Sequence, residues 1–531
     1  MKRWNGWGDE TTLYPLPDSA ARFLADQVGE GARLEDVSLQ QAIAGVEKSR
    51  LAHHPLISID PEERLRHARG QSLPDWIALR SGRIDAFPDG VAYPTSDEEV
   101  RTLLDYARKN GVKVIPYGGG TSVVGHINPI PGSGSSLTMD LSRYNHMLAL
   151  DETSHLATFE AGVVGPEIEK QLNARGYTLG HFPQSFEFST LGGWIVTRSS
   201  GQQSYHYGRI ENLFAGGHIE TPIGPLELPF HPASAAGPDL KQLLLGSEGR
   251  LGVMTRATVR VRDLAEFEAF YGVFFPNWAQ GSAAVRAIAQ AGIGVSMLRL
   301  SNALETTTTL AIAGKDELVK WLERGLRTGG FGRDRALLVF GVTGTRHQAR
   351  QARLEALEII RKHGGLMTGT IIGRMWKKSR FYSPYLRNAL WEAGYALDTL
   401  ETAIPWSSVA VTAEETQNGI REGLSQRGER VLVFAHLSHV YLDGASIYIT
   451  YLYRRASDPQ ETLNRWQTLK GTASRIIQAH GGTISHQHGV GIDHAAYLGA
   501  EKGPLGMRAL ETVSKVFDPD RMMNPGKLLE N

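Results

Sequence analysis

The spacing of apolar residues predicts regular secondary structure from about residue 95 onward. Behind the polar group at 96–99, apolar residues recur every three or four positions over 100–111, which predicts an amphipathic helix that Gly111 closes. A short apolar run at 113–118 and an alternating run at 253–262 are typical of strands. The same criteria predict further elements between them, at 136–142 (strand), 155–162 (strand) and 164–177 (helix).

The second half of the chain alternates between strands and long helices. This alternation predicts a second α/β layer domain. The predicted strands are 267–275, 296–301, 336–344, 432–440 and 445–454, and the predicted helices are 346–364 and 460–481. The final stretch, 517–529, has turn residues around a short apolar tail, so we expect it to dock onto the body of the protein.

Composition narrows the class of protein. A chain of 531 residues exceeds the size of one hydrophobic core, so at least two domains are expected. Equal numbers of basic and acidic residues give no sign of a nucleic-acid partner, and the lack of cysteine excludes disulfides, zinc thiolates and a thiol-linked flavin. With no run near 18 apolar residues and a polar N-terminus, we expect a cytoplasmic protein, and peripheral membrane contact is left open.

Three glycine-rich segments lie in the first half of the chain. The first follows the strand at 113–118, where consecutive glycines allow the backbone N–H groups to surround a pyrophosphate and the hydroxyls add donors. Its residues are Pro116, Tyr117, Gly118, Gly119, Gly120, Thr121 and Ser122. The segment matches neither the dinucleotide fingerprint G-x-G-x-x-G nor a Walker A loop, and taken alone it could equally be a structural turn.

The other two segments have the same character. In the second, Gly192 and Gly193 can begin a helix whose free N–H groups favour an anionic or carbonyl oxygen. Its candidate residues are Pro183, Gln184, Ser185, Phe186, Glu187, Phe188 and Ser189, followed by Thr197, Arg198, Ser199 and Ser200. The third comprises Glu248, Gly249, Arg250, Leu251, Gly252, Val253 and Met254. Each could be a packing turn, but their order and spacing favour one shared site.

Together these segments resemble the FAD-binding segments of the vanillyl-alcohol-oxidase superfamily, which includes p-cresol methylhydroxylase. The resemblance implies a PCMH-type FAD-binding domain joined to a second α/β (α+β) substrate or cap domain. It also implies that the first segment holds the pyrophosphate and that the other two surround the isoalloxazine and ribityl chain. Many members attach the flavin through a histidine, for which His126 is a candidate, but the narrower resemblance implies non-covalent FAD.

That narrower resemblance is to the alkyldihydroxyacetonephosphate synthases and covers nearly the whole chain. It is carried by the segments 3–8 (RWNGWG), 80–94 (RSGRIDAFPDGVAYP), 398–406 (DTLETAIPW) and 485–491 (SHQHGVG). The resemblance implies that the acyl group of acyl-dihydroxyacetonephosphate is exchanged for a fatty alcohol, without net oxidation. It implies a lipid-like substrate, and a homodimer is left open.

The same resemblance suggests roles for individual residues. It places the substrate-binding arginine at Arg387 and a second active-site arginine at Arg299. Arginine is a natural bidentate partner for a phosphate, although either residue could form a structural ion pair. Tyr448 matches the family's catalytic tyrosine but could be a packed aromatic. His486 and His488 fall in its histidine cluster, and their i, i+2 spacing puts both rings on one face, where they could transfer protons or pack on the flavin.

One departure from the family pattern keeps alternatives open. Gln487 stands where the synthases have a third histidine, and glutamine carries no proton at neutral pH. The ending at 524–527 (NPGK) also resembles the D-lactate and glycolate dehydrogenases, which have a glutamate before the His-Gly for a metal-assisted oxidation of 2-hydroxy acids. With glutamine there, we expect no metal and rank an FAD-dependent D-2-hydroxy-acid dehydrogenase second, ahead of a flavin-binding protein without activity.

The expected domain organisation follows from these assignments. It consists of an N-terminal region (1–89), the FAD-binding domain (90–265), the substrate domain (266–480) and a C-terminal segment (481–531) that returns to the flavin.

Overall fold

The computed structural model describes residues 2–312, 326 and 331–529 and contains both α-helices and β-sheets. Its strands are β1 (Ile57–Ser58), β2 (Gly90–Ala92), β3 (Lys113–Tyr117), β4 (Ser136–Asp140), β5 (Met147–Asp151), β6 (Leu156–Glu160), β7 (Tyr177–Thr178), β8 (Phe214–Thr221), β9 (Gly224–Leu228), β10 (Val253–Arg260), β11 (Arg262–Asp263), β12 (Phe267–Phe275), β13 (Met297–Ser301), β14 (Ala336–Gly344), β15 (Leu366–Met367), β16 (Tyr395–Pro405), β17 (Leu432–Val440) and β18 (Gly444–Arg454).

The helices connect and cover these strands. They are α1 (Asp18–Val28), α2 (Leu39–Ala44), α3 (Pro61–Arg66), α4 (Leu73–Ser81), α5 (Asp97–Asn110), α6 (Gly165–Asn173), α7 (Leu191–Thr197), α8 (Ser204–Tyr207), α9 (Ile210–Leu213), α10 (Lys241–Leu244), α11 (Trp278–Gln290), α12 (Ala303–Ile312), α13 (Arg346–Lys362), α14 (Ile371–Ser379), α15 (Ser383–Glu392), α16 (Trp406–Glu422), α17 (Pro459–Ala479) and α18 (Ala495–Phe517). In the described part of the chain, no helix is both long and apolar enough to cross a membrane.

Local signals set the ends of these helices. At the start of α5 the hydroxyl of Ser96 accepts a hydrogen bond from the backbone N–H of Glu99, and at its end Gly111 has a φ of +64°. Such a left-handed residue is usually a glycine because other side chains are strained there. The helix buries its predicted apolar face against the sheet that contains β3. The prediction from spacing and capping residues is confirmed.

The first half of the chain forms two main sheets. One has the order β1-β2-β4-β3, with β2, β4 and β3 parallel, and the other is antiparallel with the order β5-β6-β10-β8-β9. The chain end covers the edge of the first sheet, because Met523 pairs with Val114 of β3 and is fully buried. The predicted docking of the C-terminal stretch is therefore confirmed.

A seven-stranded sheet dominates the second half. Its order is β15-β12-β14-β13-β17-β18-β16, and every neighbouring pair is antiparallel. The register places Tyr448 of β18 beside Glu401 of β16 on one side and beside His436 of β17 on the other. Residues paired in this way project to the same face of a sheet, so three polar side chains lie in a row across the fold.

Strand β16 and helix α16 were not among the predicted elements. Strand β16 is buried on both faces, so it shows no alternation of apolar and polar residues. It also buries the carboxylates of Asp398 and Glu401. Hydrogen bonds compensate for that burial, since Asp398 accepts from Tyr451 and Trp466, but such partners are not visible in a hydropathy pattern.

The N-terminal segment is attached to the second half through Asn388 of α15. The buried amide group of Asn388 accepts from the backbone N–H of Trp7 at 3.1 Å and donates to the carbonyl of Trp7 at 3.0 Å. It therefore bonds to the backbone as a neighbouring strand would, although residues 7 and 388 are far apart in sequence.

We expect Asn388→Leu to destabilise the protein by about 2 kcal/mol, because it leaves two buried backbone groups of Trp7 without partners. The thermal unfolding midpoint and the rate of N-terminal proteolysis both report this loss. Asn418→Leu on the exposed face of α16 is the matched control and should change little. Equal midpoints for the two variants would contradict this account.

Candidate functional site

The first glycine segment forms the turn that leaves β3. Gly118 and Gly119 lie so close to residues 188–190 that a Cβ on Gly119 would sit 1.7 Å from the carbonyl oxygen of Phe188. A cavity of about 730 Å³ opens beside this turn. Its lining includes Gly118, Gly119, Gly120, Thr190 and the cationic side chains of Lys2, Arg66 and Arg69. Asp140 and Glu167 also line the cavity, and Arg66 and Arg69 pair with Glu62 and Asp85. The glycine turn with Lys2 beside it is the part that suits an anionic group such as a diphosphate.

The second glycine segment is a turn followed by the start of α7, as predicted. Thr190 caps the helix by accepting a hydrogen bond from the N–H of Gly193. The hydroxyl of Ser189 accepts from the indole of Trp194 at 2.7 Å, and Ser199 bonds to His181 at the same distance. These bonds fix the backbone on either side of α7, which lies directly behind the first glycine turn.

The third glycine segment meets the C-terminal part of the chain through Glu248. Its buried carboxylate accepts from the backbone N–H groups of Val490 at 2.5 Å and Gly491 at 2.8 Å. The amide of Asn524 donates to the carbonyl of Glu248 at 2.6 Å. The C-terminal segment thus contacts the third glycine segment, and its return to the flavin stays a prediction.

A second buried carboxylate, Glu401, holds the other end of the same loop. It accepts from the N–H groups of Gln487 at 2.7 Å and His488 at 3.0 Å. The rings of His486 and His488 both lie against it, with their Nδ1 atoms 3.7 and 3.5 Å from its oxygens. The i, i+2 spacing does place both histidines on one side, and that side faces Glu401.

Protonation at this cluster is shared between the carboxylate and the rings. Burial lowers the pKa of His486 and of His488, and Glu401 offsets part of this effect. Burial alone would raise the pKa of Glu401, but the charges of His488 and His486 prevail and lower it. Both rings are therefore held in the neutral form, which is able to take up a proton during a reaction, beside a carboxylate that stabilises the charged form.

Tyr448 lies between the histidine loop and β17. Its ring stacks on His436 with centroids 4.9 Å apart and meets the edge of His488 at 5.8 Å. Its hydroxyl donates to Thr399 at 3.1 Å, and burial raises its pKa. Tyr448 is therefore a neutral phenol whose ring contacts His488.

Arg299 is a partly exposed arginine that forms an ion pair with the buried carboxylate of Glu305. Its guanidinium is 2.6 Å from Glu305 and 3.1 Å from His436, the ring that stacks on Tyr448. Arg299 therefore reaches Tyr448 through His436, and its charge is balanced by Glu305.

Arg387 of α15 is a buried cation with unused hydrogen-bonding capacity. It lies 4.4 Å above the ring of Trp76 and donates through Nη1 to the carbonyl of Gln71 at 2.5 Å. Its Nε and Nη2 have no hydrogen-bond partner among the described residues. Burial lowers its pKa, and Asp398 opposes this effect. Two free donors on a guanidinium match two oxygens of a phosphate or carboxylate.

Some predicted residues lie away from this centre. Arg198 is exposed and reaches Gln242, Gln184 bonds to Ser383, and Phe186 stacks on Phe381.

Other residues of the centre were not predicted as site residues, namely Glu401, Glu305, Arg209, His436, His439 and Tyr441. The histidines of 432–440 are visible in the sequence, but an irregularity between Leu437 and Val440 breaks the two-residue alternation that would have placed them.

Among the described residues, one group of three side chains has ligand atoms close enough together to hold a metal ion. Asp97, His218 and Glu220 have ligand atoms within 4.8 Å of one another. Arg256 binds Asp97 at 3.0 Å and Arg101 binds Glu220 at 2.9 Å, so arginines already balance these carboxylates. The group lies apart from the histidine loop.

Comparison with known proteins agrees with this geometry. Residues 88–226 match the model of an FAD binding domain, and residues 264–528 match that of the C-terminal domain of FAD linked oxidases. An alkyldihydroxyacetonephosphate synthase of Trypanosoma brucei brucei is 31% identical over 99% of this chain and 92% of the relative. This chain belongs to the alkyldihydroxyacetonephosphate synthase family.

Solved structures give the same result for the fold. A structure of alkyldihydroxyacetonephosphate synthase superposes with a TM-score of 0.85 at 27% identity, covering 99% of this chain and 98% of that one. p-Cresol methylhydroxylase has the same fold, with a TM-score of 0.69 at 14% identity over 94% of this chain and 99% of that one. The predicted fold class and membership of the synthase family are confirmed.

FAD is the cofactor of this family member, and the glycine segments fit it. The turn at Gly118–Gly120 is a cradle in which a Cβ on Gly119 would collide with backbone, and cations line the adjoining cavity. Which residues of the three segments contact the cofactor stays a prediction.

We expect Gly119→Ala to lose most of its bound FAD, because the new Cβ forces the glycine turn away from Phe188 and distorts the cradle. The measurement is the ratio of flavin to protein after purification, with the flavin released by acid precipitation. Gly294→Ala is the control, since a Cβ there meets nothing within 4 Å. Normal flavin content in the Gly119 variant would show that the turn has no part in binding the cofactor.

Proposed function

We propose that this protein exchanges the acyl group of acyl-dihydroxyacetonephosphate for a fatty alcohol and so forms an ether-lipid precursor. The observation that carries the proposal is the arrangement of Glu401, Tyr448 and His488 in one buried cluster. Arg387, which has two free hydrogen-bond donors, interacts electrostatically with Tyr448 of this cluster. The whole arrangement lies in a chain that is similar to alkyldihydroxyacetonephosphate synthases along nearly its whole length. The reaction needs an anion clamp and groups that move a proton, and these residues supply both.

Arg387 is the proposed clamp for the phosphate. A buried guanidinium whose Nε and Nη2 both lack protein partners gains strongly from a dianionic group that accepts from the two atoms at once. The stack on Trp76 holds the plane of the guanidinium in place. The head of the substrate is thereby fixed before the reaction begins.

His488 is the proposed acceptor of the alcohol proton. Its side chain keeps 17% of its exposure and its Nδ1 faces Glu401, which leaves Nε2 to face the substrate. Glu401 orients the ring and stabilises its charged form. Tyr448, kept neutral by burial, can donate a hydrogen bond to a substrate oxygen once its O–H turns away from Thr399.

We propose that FAD is held without a covalent link. The ring of His126 faces protein groups on both sides, since Nδ1 is hydrogen-bonded to the hydroxyl of Ser122 at 2.9 Å and Nε2 lies 3.2 Å from the Glu248 carboxylate. The cofactor supplies the reactive ring system, and the protein supplies placement and proton transfer.

Oxidation of a D-2-hydroxy acid is the second candidate. The family comparison favours the synthase activity, and Gln487 supplies no carboxylate where the dehydrogenases have one. The carboxylate beside the histidines is Glu401, whose Oε1 already accepts two backbone N–H groups.

The proposal predicts that the purified holoenzyme incorporates a labelled fatty alcohol into product when given acyl-dihydroxyacetonephosphate, and that its flavin stays oxidised throughout. Anaerobic D-lactate should leave the flavin absorbance unchanged. Rapid bleaching by D-lactate together with no incorporation of alcohol would contradict the synthase proposal and show that the protein is a dehydrogenase.

Arg387→Lys should raise the KM for the phosphate substrate about 10- to 100-fold, because lysine keeps the charge but loses the two-pronged contact. The value of kcat should fall much less. Arg374→Lys on the exposed face of α14 is the matched control and should behave as wild type. An unchanged KM in the Arg387 variant would place the phosphate elsewhere.

A further inference from the structure

The proposed exchange produces a proton that has to leave a buried site. The ester C–O bond breaks and the ether C–O bond forms, so that the fatty acid departs as a carboxylate. The hydroxyl proton of the alcohol then remains behind. One proton is therefore released at each turnover, and His488, which takes it, has to lose it before the next.

His486 is poorly placed to contact a substrate. Its side chain is fully buried, its Nε2 is hydrogen-bonded, and its Nδ1 faces a carboxylate without a hydrogen bond. Nδ1 faces Glu401 at 3.7 Å, and Nε2 forms a 2.5 Å hydrogen bond with the hydroxyl of Tyr441. A histidine with a carboxylate on one side and a phenol on the other is suited to carrying a proton from one to the other.

Tyr441 connects His486 to the outside. It follows β17 and lines an open cleft of about 660 Å³, whose lining residues do not include Glu401 or His486. Arg209, which also lines the cleft, donates to the Tyr441 hydroxyl at 3.4 Å and to the carbonyl of His486 at 2.9 Å. The phenol is thus held between the buried ring and the cleft.

We infer that Tyr441 and His486 form an exit route for the proton that the exchange releases, running from His488 through Glu401, His486 and Tyr441 to water in the cleft. This inference rests on the proposed function. Glu401 lies 3.5 Å from one ring and 3.7 Å from the other, so each ring has to approach it by about half an ångström for transfer. Tyr441 gives its proton to the cleft as it receives one from His486 and carries no net charge afterwards.

The charged and titratable surroundings of His486 fit this role. Glu401 faces it from β16, and His439 of β17 lies with its ring centroid 4.9 Å away. Arg209 lies beside Tyr441, and Glu211 at 2.9 Å balances its charge. His439 also bonds to Ser204, another residue that lines the cleft, but no hydrogen bond joins its ring to that of His486 in the described structure. Tyr441 makes the direct hydrogen-bonded connection.

Tyr441→Phe tests the route, because it removes only the hydroxyl. We expect kcat for alkyl exchange to fall about 10- to 100-fold, with KM and flavin content unchanged. The solvent deuterium isotope effect on kcat should rise, and added imidazole should restore part of the rate by carrying protons from the cleft. Tyr205→Phe, which alters another tyrosine of the same cleft, is the control and should match wild type.

Two outcomes overturn the inference. One is a Tyr441→Phe enzyme with wild-type kcat. The other is a slower enzyme whose isotope effect and response to imidazole equal those of wild type, which would make the hydroxyl a structural group only.

A readout that needs no turnover separates this inference from the proposed function. In protein labelled with ¹⁵N-histidine, the His486 signals, assigned by their loss in His486→Gln, should shift in Tyr441→Phe because the Nε2 hydrogen bond is lost. If wild type shows no exchange but this shift is present, the proposed function fails while the Tyr441–His486 connection stands. Unchanged His486 signals would show that Tyr441 and His486 are not joined by a hydrogen bond, and the inference would fail.

Discussion

Two buried carboxylates from different halves of the molecule hold one loop. Glu401 of the seven-stranded sheet binds the N–H groups of residues 487 and 488, and Glu248 of the glycine segments binds those of residues 490 and 491. Each carboxylate is fully buried and would be costly there without these donors. The loop therefore has a fixed position relative to the sheet and to the glycine turn at the same time. The placement of both histidines depends on this arrangement.

The sheet supplies the other half of the centre through its register. Glu401, Tyr448 and His436 are neighbours on three adjacent antiparallel strands. A slip of one residue in β18 would turn Tyr448 to the opposite face and remove it from His488. The chemistry proposed for this centre therefore requires strand pairing over the whole of β16, β17 and β18. A substitution that alters this pairing would displace side chains of the centre even if it lies far from the histidines.

Sequence patterns predicted much of this architecture. The amphipathic helix α5, the strand β3 that follows it and the long strands of the second half follow hydropathy and capping rules, and the structure has them close to the predicted positions. The glycine segments and the histidine pair were likewise visible as short strings. Glu401 was not identified as a site residue, because its part depends on which backbone N–H groups reach it across 86 residues of sequence. His439 and Tyr441 were missed because a local irregularity in β17 and contacts across the fold place them, and neither leaves a periodic trace.

The pairing of Met523 with β3 has a consequence for the order in which the protein is made. Strand β3 is the edge of its sheet, and the glycine turn leaves directly from it. During synthesis this edge and the carbonyl of Glu248 stay uncovered until Met523 and Asn524, which are their partners, have left the ribosome. An uncovered strand edge is open to pairing with other chains. A nascent chain that stalls before Met523 would therefore already contain all three glycine segments and still expose this open strand edge.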